Sequence, residues 1–303
     1  MNTLNKKTKI RVVDLFSGCG GMSLGFQNAG FDIVAAYDNW SPAIEIYRKN
    51  FKHSIHQVDL SERDIVEDLI KLDPQIIIGG PPCQDFSIAG KRDSDGARAN
   101  LTSKYCEIVC SVLPKWFVME NVYNIEKFPV LDKVIDRFKK AGYGLTAGIY
   151  EASRMGVPQN RKRYFLIGRI GAEENFLKNT IESSLSDKRM TVRDYLGSSL
   201  NTDYYYMHPR SYNRRAIYSV DEPSSTIRGL NRPIPKTYRP HPADKTDNLG
   251  KVRALTTRER AHLQTFPADY QLEGSKSNLE QLIGNAVPVK MAEFIARQIL
   301  GNS

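Results

Sequence analysis

A cysteine, a glutamate and two arginines stand where short apolar runs of this 303-residue chain begin or end. Residues 79–87 read GGPPCQDFS directly after Ile76-Ile77-Ile78. Glycines let a backbone leave a strand sharply and prolines fix φ, so Cys83 sits on a stiff turn. A thiol at a strand's exit is a candidate nucleophile, although a loop cysteine is more often simply packed away from water. WFVMENV, residues 116–122, delivers Glu120 and Asn121 after four apolar residues. A carboxylate there is partly desolvated, which raises its pKa and suits it to proton donation or hydrogen bonding; a helix cap is the plainer reading. QNRKRYFLIG, residues 159–168, places Gln159, Arg161 and Arg163 ahead of another strand. Alternate positions share one face, so the two arginines could meet phosphate, carbonyl or carboxylate, or form surface salt bridges.

A second group of residues points to a small-molecule site. DLFSGCGGMSLGF, residues 14–26, is a glycine-rich turn between a strand and a helix, where a ligand can approach backbone and helix N-terminus. It departs from the dinucleotide fingerprint, because the third glycine position is Ser23. Asp38 ends the next strand, 20 residues after Gly18, and is placed to accept from ribose hydroxyls; Asp59 follows a third apolar run. Phe16 could pack on a purine or methionine moiety. Each acid alone would pass for a cap or a solvated charge, but groups at three successive strand ends favour a nucleoside-type cofactor.

The elements that must position these residues follow from periodicity. Strands are expected at 10–15, 33–37, 75–79, 115–119 and 164–168, with helices at 42–50, 62–72, 103–113 and 130–141 between them. Strand and helix in turn imply a mainly parallel sheet covered on both faces, an α/β fold. From 169 to about 274 the pattern breaks into a loop-rich region of Tyr, Pro, Arg and Asn, and 286–300 returns to helical spacing.

Composition bounds the function. The chain is long enough for one large domain and a smaller one, and no stretch approaches a membrane span. The basic N-terminus leads into a strand, so no export is expected. Four cysteines make no disulfide framework, which fits a reducing cytoplasm. Cys106 and Cys110 lack a second pair at metal-ligand spacing and are read as packing; His53 and His56 are read as surface residues. A net charge of +9 suggests a polyanionic partner. Residues 207–241 carry seven Arg or Lys against two acids, interleaved with Tyr212, Tyr218 and Tyr238.

Taken in order, the segments DLFSGCGG, PPCQDFS, ENV, QNRKR, RALTTRERAHLQTFP (253–267) and LIGNAVPV (282–289) resemble the DNA (cytosine-5)-methyltransferases, which use S-adenosyl-L-methionine. Only about 169–252 is unmatched. Departures are small: Asp38 stands where Glu is common, Asp85 where Gly is common, and His262 where Arg is common.

The resemblance implies a Rossmann-like fold with a mixed sheet, a catalytic domain of 1–168 and 276–303, and a target-recognition domain of 169–275. It implies methyl transfer to C5 of a flipped-out cytosine in a specific double-stranded DNA sequence, with S-adenosyl-L-homocysteine as product. Cys83 would attack C6, with Pro82 stiffening its loop; Glu120 would bond N3 and the exocyclic amine. Arg163 would hold O2, and Arg161 would support the loop or a phosphate. Phe16, Ser17, Gly18, Gly20, Asp38, Asp59, Leu60, Pro81, Asn285 and Ala286 would form the cofactor site, with Trp40 a candidate cover for the adenine. In the basic region, Thr226-Ile227 would lie near the flipped base's backbone, Arg228 and Arg232 would read bases, and Arg210, Arg214 and Arg215 would meet phosphates. The enzyme is expected to act as a monomer, cytoplasmic or on the nucleoid, with a restriction endonuclease acting separately. A nicotinamide-dependent oxidoreductase, a tRNA methyltransferase and a non-catalytic DNA-binding module are the alternatives.

Overall fold

The computed structural model describes residues 9–82, 100–211 and 213–302; Cys83, Asp85 and Tyr212 lie outside them. A seven-stranded sheet forms the centre of the molecule. β1 (Arg11–Leu15) leads into α1 (Gly21–Asn28), β2 (Asp32–Asp38), α2 (Ser41–Asn50) and β3 (Ser54–Gln57). α3 (Val66–Leu72), β4 (Ile76–Gly79), α4 (Asn100–Val112), β5 (Trp116–Val122), α5 (Pro129–Lys140) and β6 (Tyr143–Glu151) follow. The two-residue β7 (Gln159–Asn160) then precedes β8 (Lys162–Ile170). The strand order is β3-β2-β1-β4-β5-β8-β6, parallel except that β8 runs antiparallel to both neighbours. Strands buried on both faces read as unbroken apolar runs, which is why Ile76-Ile77-Ile78 and WFVM stand out in the sequence.

The chain leaves β1 toward β2 and β3 on one side and returns to β4 and β5 on the other. That reversal opens a crevice at the carboxyl ends of β1 and β4, the customary ligand position of open α/β sheets. One face of the sheet packs Phe26 of α1 with Met291 and Ile295 of a late helix; the other packs Tyr105 and Ile108 of α4 with Val134 and Phe138 of α5.

Beyond β8 the elements shorten to α6 (Lys178–Ser184), α7 (Val192–Leu196), β9 (Tyr204–Tyr206), β10 (Ile217–Ser219), β11 (Ser224–Ser225) and β12 (Val252–Ala254). They are followed by α8 (Thr257–Leu263), α9 (Lys276–Asn285) and α10 (Val289–Leu300). β10, β9 and β12 make a small second sheet, and β11 pairs with β7. A third core joins this region to α2, with Ile44 and Tyr47 in one cluster with Tyr205, Val220, Leu263 and Leu282.

The expected elements are present with shifted ends. The last helix starts at Val289 rather than 286, because Ala286 and Pro288 are extended and a residue ahead of proline avoids the helical region. α3 starts at Val66 rather than 62. The 164–168 strand extends to Lys162–Ile170, and β6 escaped notice because its second half is partly exposed and glycines at 144 and 148 interrupt its apolar pattern. Among the described residues no helix is long and apolar enough to cross a membrane, and no cluster of His, Cys, Asp or Glu could hold a metal ion. Cys106 is buried, as expected.

Candidate active site

The crevice is a cavity of about 840 Å³ lined by residues from β1, β2, β5 and β8, by residues 80–82 after β4, and by residues 281, 282 and 284–287. Phe16, Ser17, Gly18, Asp38, Trp40, Asp59, Leu60, Pro81, Asn285 and Ala286 all border it, together with Glu120 and Arg163. Its first wall is the turn after β1. Phe16 adopts φ 59, unusual for a bulky residue, and Gly18 adopts φ 53. Asp38 holds that turn: its Oδ2 accepts from Gly18 N at 2.8 Å and its Oδ1 from Trp40 N at 2.9 Å. Burial raises the Asp38 carboxyl above its ordinary range in spite of those bonds. Asp59 differs. It is exposed, and the Ser61 side chain and backbone hold its pKa down.

Asp14 lines the same cavity and was not singled out by its position in the sequence. Its Oδ2 accepts from Ser23 Oγ at 2.6 Å, while its buried Oδ1 has no hydrogen-bond partner. Ser23 Oγ meets the Tyr47 hydroxyl at 2.6 Å, which meets His53 Nε2 at 2.7 Å. His53, half-buried at the surface, is therefore the outer end of a polar chain that runs inward to Asp14. Desolvation pushes the Asp14 carboxyl up to about 7.

The second wall carries the charged groups. β5 pairs β8 with Val122 opposite Arg163 and Glu120 opposite Phe165, so Glu120 and Arg163 are diagonal neighbours across an antiparallel ladder. They form a buried ion pair, Arg163 Nε to Glu120 Oε1 at 2.8 Å. Desolvation raises the Glu120 pKa, opposed by Arg163 and Arg161. The backbone leading to Cys83 passes directly over this pair: a Cβ at Gly80 would lie 3.1 Å from Glu120 Oε2. Asn121 Nδ2 donates to Pro81 O at 3.2 Å and ties the same segment to β5.

Several expected residues sit elsewhere. Gly20 is not on the cavity wall; it adopts φ 85 beneath the turn, where a Cβ would strike the Phe51 ring at 2.3 Å. Arg161, expected to support the loop or a phosphate, is fully buried and does not reach the cavity. Its guanidinium donates to Ile227 O at 3.0 Å, Gly284 O at 3.1 Å and Ala286 O at 3.0 Å, so it ties the segment at 227 to the end of α9. Arg215 was expected on phosphate, yet it makes a bidentate pair with Glu222 at 2.9 and 2.8 Å and stacks 4.4 Å over Tyr218. Arg228 was expected to read a base, yet it is half-buried and its guanidinium donates to His208 O. Thr226 Oγ1 donates to Asn160 O at 2.7 Å. Arg210, Arg214 and Arg232 are exposed.

The family model described as "C-5 cytosine-specific DNA methylase" matches residues 10–301. The chain is 57% identical over 293 residues to the Type II methyltransferase M.HindV of Haemophilus influenzae, covering 96% of each. It is 53% identical over 291 residues to the Type II methyltransferase M.HgiDI of Herpetosiphon aurantiacus, covering 96% of this chain and 94% of the relative. In fold it is similar to the Dnmt2 methyltransferase of S. pombe, with a TM-score of 0.76 at 23% identity over 97% of this chain and 99% of that one.

Proposed function

The chain belongs to the C-5 cytosine-specific DNA methylases, and from that premise we propose how its residues carry methylation of cytosine C5. The observation that carries the proposal is the buried Glu120–Arg163 pair on the wall of the crevice, beside the segment that leads to Cys83. Cytosine C5 is a poor nucleophile. Addition of the Cys83 thiolate to C6 turns C4–C5 into an enamine, and cysteine is both nucleophilic near neutral pH and a competent leaving group. Glu120 hydrogen-bonds N3 and the exocyclic amine, and Arg163 holds O2 while keeping the carboxylate in place. C5 of that enamine takes the methyl group, after which the C5 proton leaves to water and Cys83 is eliminated. C6 is inaccessible in a stacked duplex, so the target cytosine is flipped out, as general experience with methyltransferases implies.

Membership of the family implies S-adenosyl-L-methionine, which supplies an electrophilic methyl group when bound. The residues fit it. Asp38 and Asp59 stand at successive strand ends for the ribose and adenine amine, and Phe16 and Trp40 offer aromatic faces. The orphaned Asp14 Oδ1 suits a cationic group. We assign 1–168 and 276–303 to catalysis and 169–275 to target recognition on duplex DNA. Within the latter, Thr226 and Arg232 face the DNA, and Arg210 and Arg214 meet phosphates. The two Type II relatives support a role in restriction and modification, with a separate endonuclease.

The test is DNA carrying 5-fluorocytosine at the target, where fluorine cannot leave as the proton does. A covalent complex forms with the unaltered protein and is lost in Cys83→Ser, which still binds S-adenosyl-L-methionine. An adduct that survives Cys83→Ser, or maps to Cys19, Cys106 or Cys110, overturns the assignment.

A further inference from the structure

The segment from Ile227 to Asn231 is short, lacks regular structure and contains a glycine, a composition that ordinarily gives a mobile loop. Here its carbonyls are held from beneath by buried guanidinium groups. Arg161 donates to Ile227 O at 3.0 Å. Arg260, on α8, donates through Nη2 to Arg228 O and through Nη1 to Leu230 O at 3.2 Å. Arg260 is itself fixed by Glu280 of α9, with Nε 2.7 Å from Oε2 and both side chains almost wholly buried. The other oxygen of Glu280 accepts from Asn231 Nδ2 at 2.8 Å and from Thr257 Oγ1 at 2.7 Å. From the side, a Cβ at Gly284 would lie 2.3 Å from the Arg228 carbonyl carbon, so only glycine lets α9 approach this closely. The polar backbone is thus turned inward, while Leu230 is 40% exposed and Arg232 is exposed.

A buried ion pair contributes little net stability, because desolvating both charges offsets their attraction, and an apolar pair of equal volume would serve a core as well. What this pair supplies that an apolar pair would not is a fork of donors aimed at two carbonyls of one exposed segment. We propose that the Arg260–Glu280 pair is a specificity-determining positioning unit: it presents residues 228–232 to DNA as a fixed template. This rests on the reading of 226–232 as DNA-facing. A template whose backbone cannot shift admits one base-pair arrangement and rejects others by misfit; a loose one adapts to near-cognate sites.

The experiment compares methylation of a randomised-site duplex library by four purified proteins: unaltered, Arg260→Met with Glu280→Met, Glu280→Gln, and Arg232→Ala. The double apolar variant keeps the core filled. It is expected to unfold near the unaltered midpoint and turn over the preferred site within about threefold, while its preference over single-mismatch sites falls about tenfold, the discrimination carried by one base pair. Glu280→Gln, which keeps partners for Asn231 and Thr257, should lose less. Unaltered preference in a folded double variant overturns the proposal if Arg232→Ala changes preference; if Arg232→Ala changes nothing either, the DNA-facing reading has failed instead. Backbone nitrogen-15 relaxation of the unaltered protein without DNA provides the check that needs no variant. The order parameters of 228–232 should match those of α8 and α9, and markedly lower values there overturn the template.

Discussion

Burial sets the working state of the two most informative carboxylates. Desolvation raises the Glu120 pKa while Arg163, 2.8 Å away, opposes the rise, so the charge and shape of Glu120 are separable by a single change. Glu120→Gln should cost about 2–4 kcal/mol of transition-state stabilisation in single-turnover methylation, comparable to losing one preorganised electrostatic partner. Weakened S-adenosyl-L-methionine binding with unchanged single-turnover rates would move Glu120 to the cofactor site. Asp14 has a folded-state pKa of about 7 against an ordinary 3.8, raised chiefly by burial. A raised folded pKa means stability fully present below pH 4 and lost as pH rises through about 7, on the order of a few kcal/mol. In the cofactor-free protein, Asp14→Asn should flatten the decline in denaturation midpoint between pH 4 and 7; an unchanged slope would exclude Asp14 as its source. Glu120, Arg163 and the acids of the strand ends were legible because each abuts a run of apolar residues whose burial fixes where the strand stops. Arg260 and Glu280 were not. Twenty residues apart on two helices, each reads as a solvated charge, and only tertiary packing reveals that both are buried.

At the scale of elements, α1 and α10 pack in close contact through Gly25. A Cβ at Gly25 would lie 2.5 Å from Ala292 Cβ and 2.6 Å from Val289 O. Alanine is the better helix former by about 1 kcal/mol, so propensity alone favours Gly25→Ala. Overpacking a tight contact costs about 1–3 kcal/mol, and with backbone as the obstacle it should win. A lowered urea midpoint with unchanged slope is the expected outcome, and a raised midpoint would mean the helices separate easily. The central strands and the helices between them follow from period and length. The small second sheet does not, because β9, β10 and β12 are three residues each, too short to show alternation, and are joined by pairing distant in sequence. Nor did the short α7 and α8 declare themselves, although capping boxes of Thr191 with Asp194 and Thr256 with Glu259 open them.

The molecule as a whole carries a charge of +9, and the residues free to meet phosphate are fewer than the sequence suggests. Arg215 is committed to Glu222 and Arg228 to His208, which leaves Arg210, Arg214, Arg232, Lys236 and Arg239 exposed in the basic segment. Arg214→Ala should weaken binding to all duplexes alike and reduce the slope of log affinity against log salt by about one unit, whereas Arg215→Ala should leave the slope nearly unchanged and lower stability. A slope change for Arg215→Ala as large as that for Arg214→Ala would show that the Glu222 pair opens on DNA.

The contact between α1 and α10 also sets an order in time. α1 ends at residue 28 and forms one wall of the crevice with the turn before it, yet the apolar face carrying Met22 and Phe26 is covered by Met291, Ala292 and Ile295. A ribosome adding about 5–20 residues per second reaches that covering helix on the order of tens of seconds after α1 emerges. Throughout that interval the nascent chain holds its glycine-rich turn on an uncovered helix and has no residues 281–287 to close the crevice. Methylating capacity therefore arrives abruptly, once α10 has been made, rather than growing with chain length.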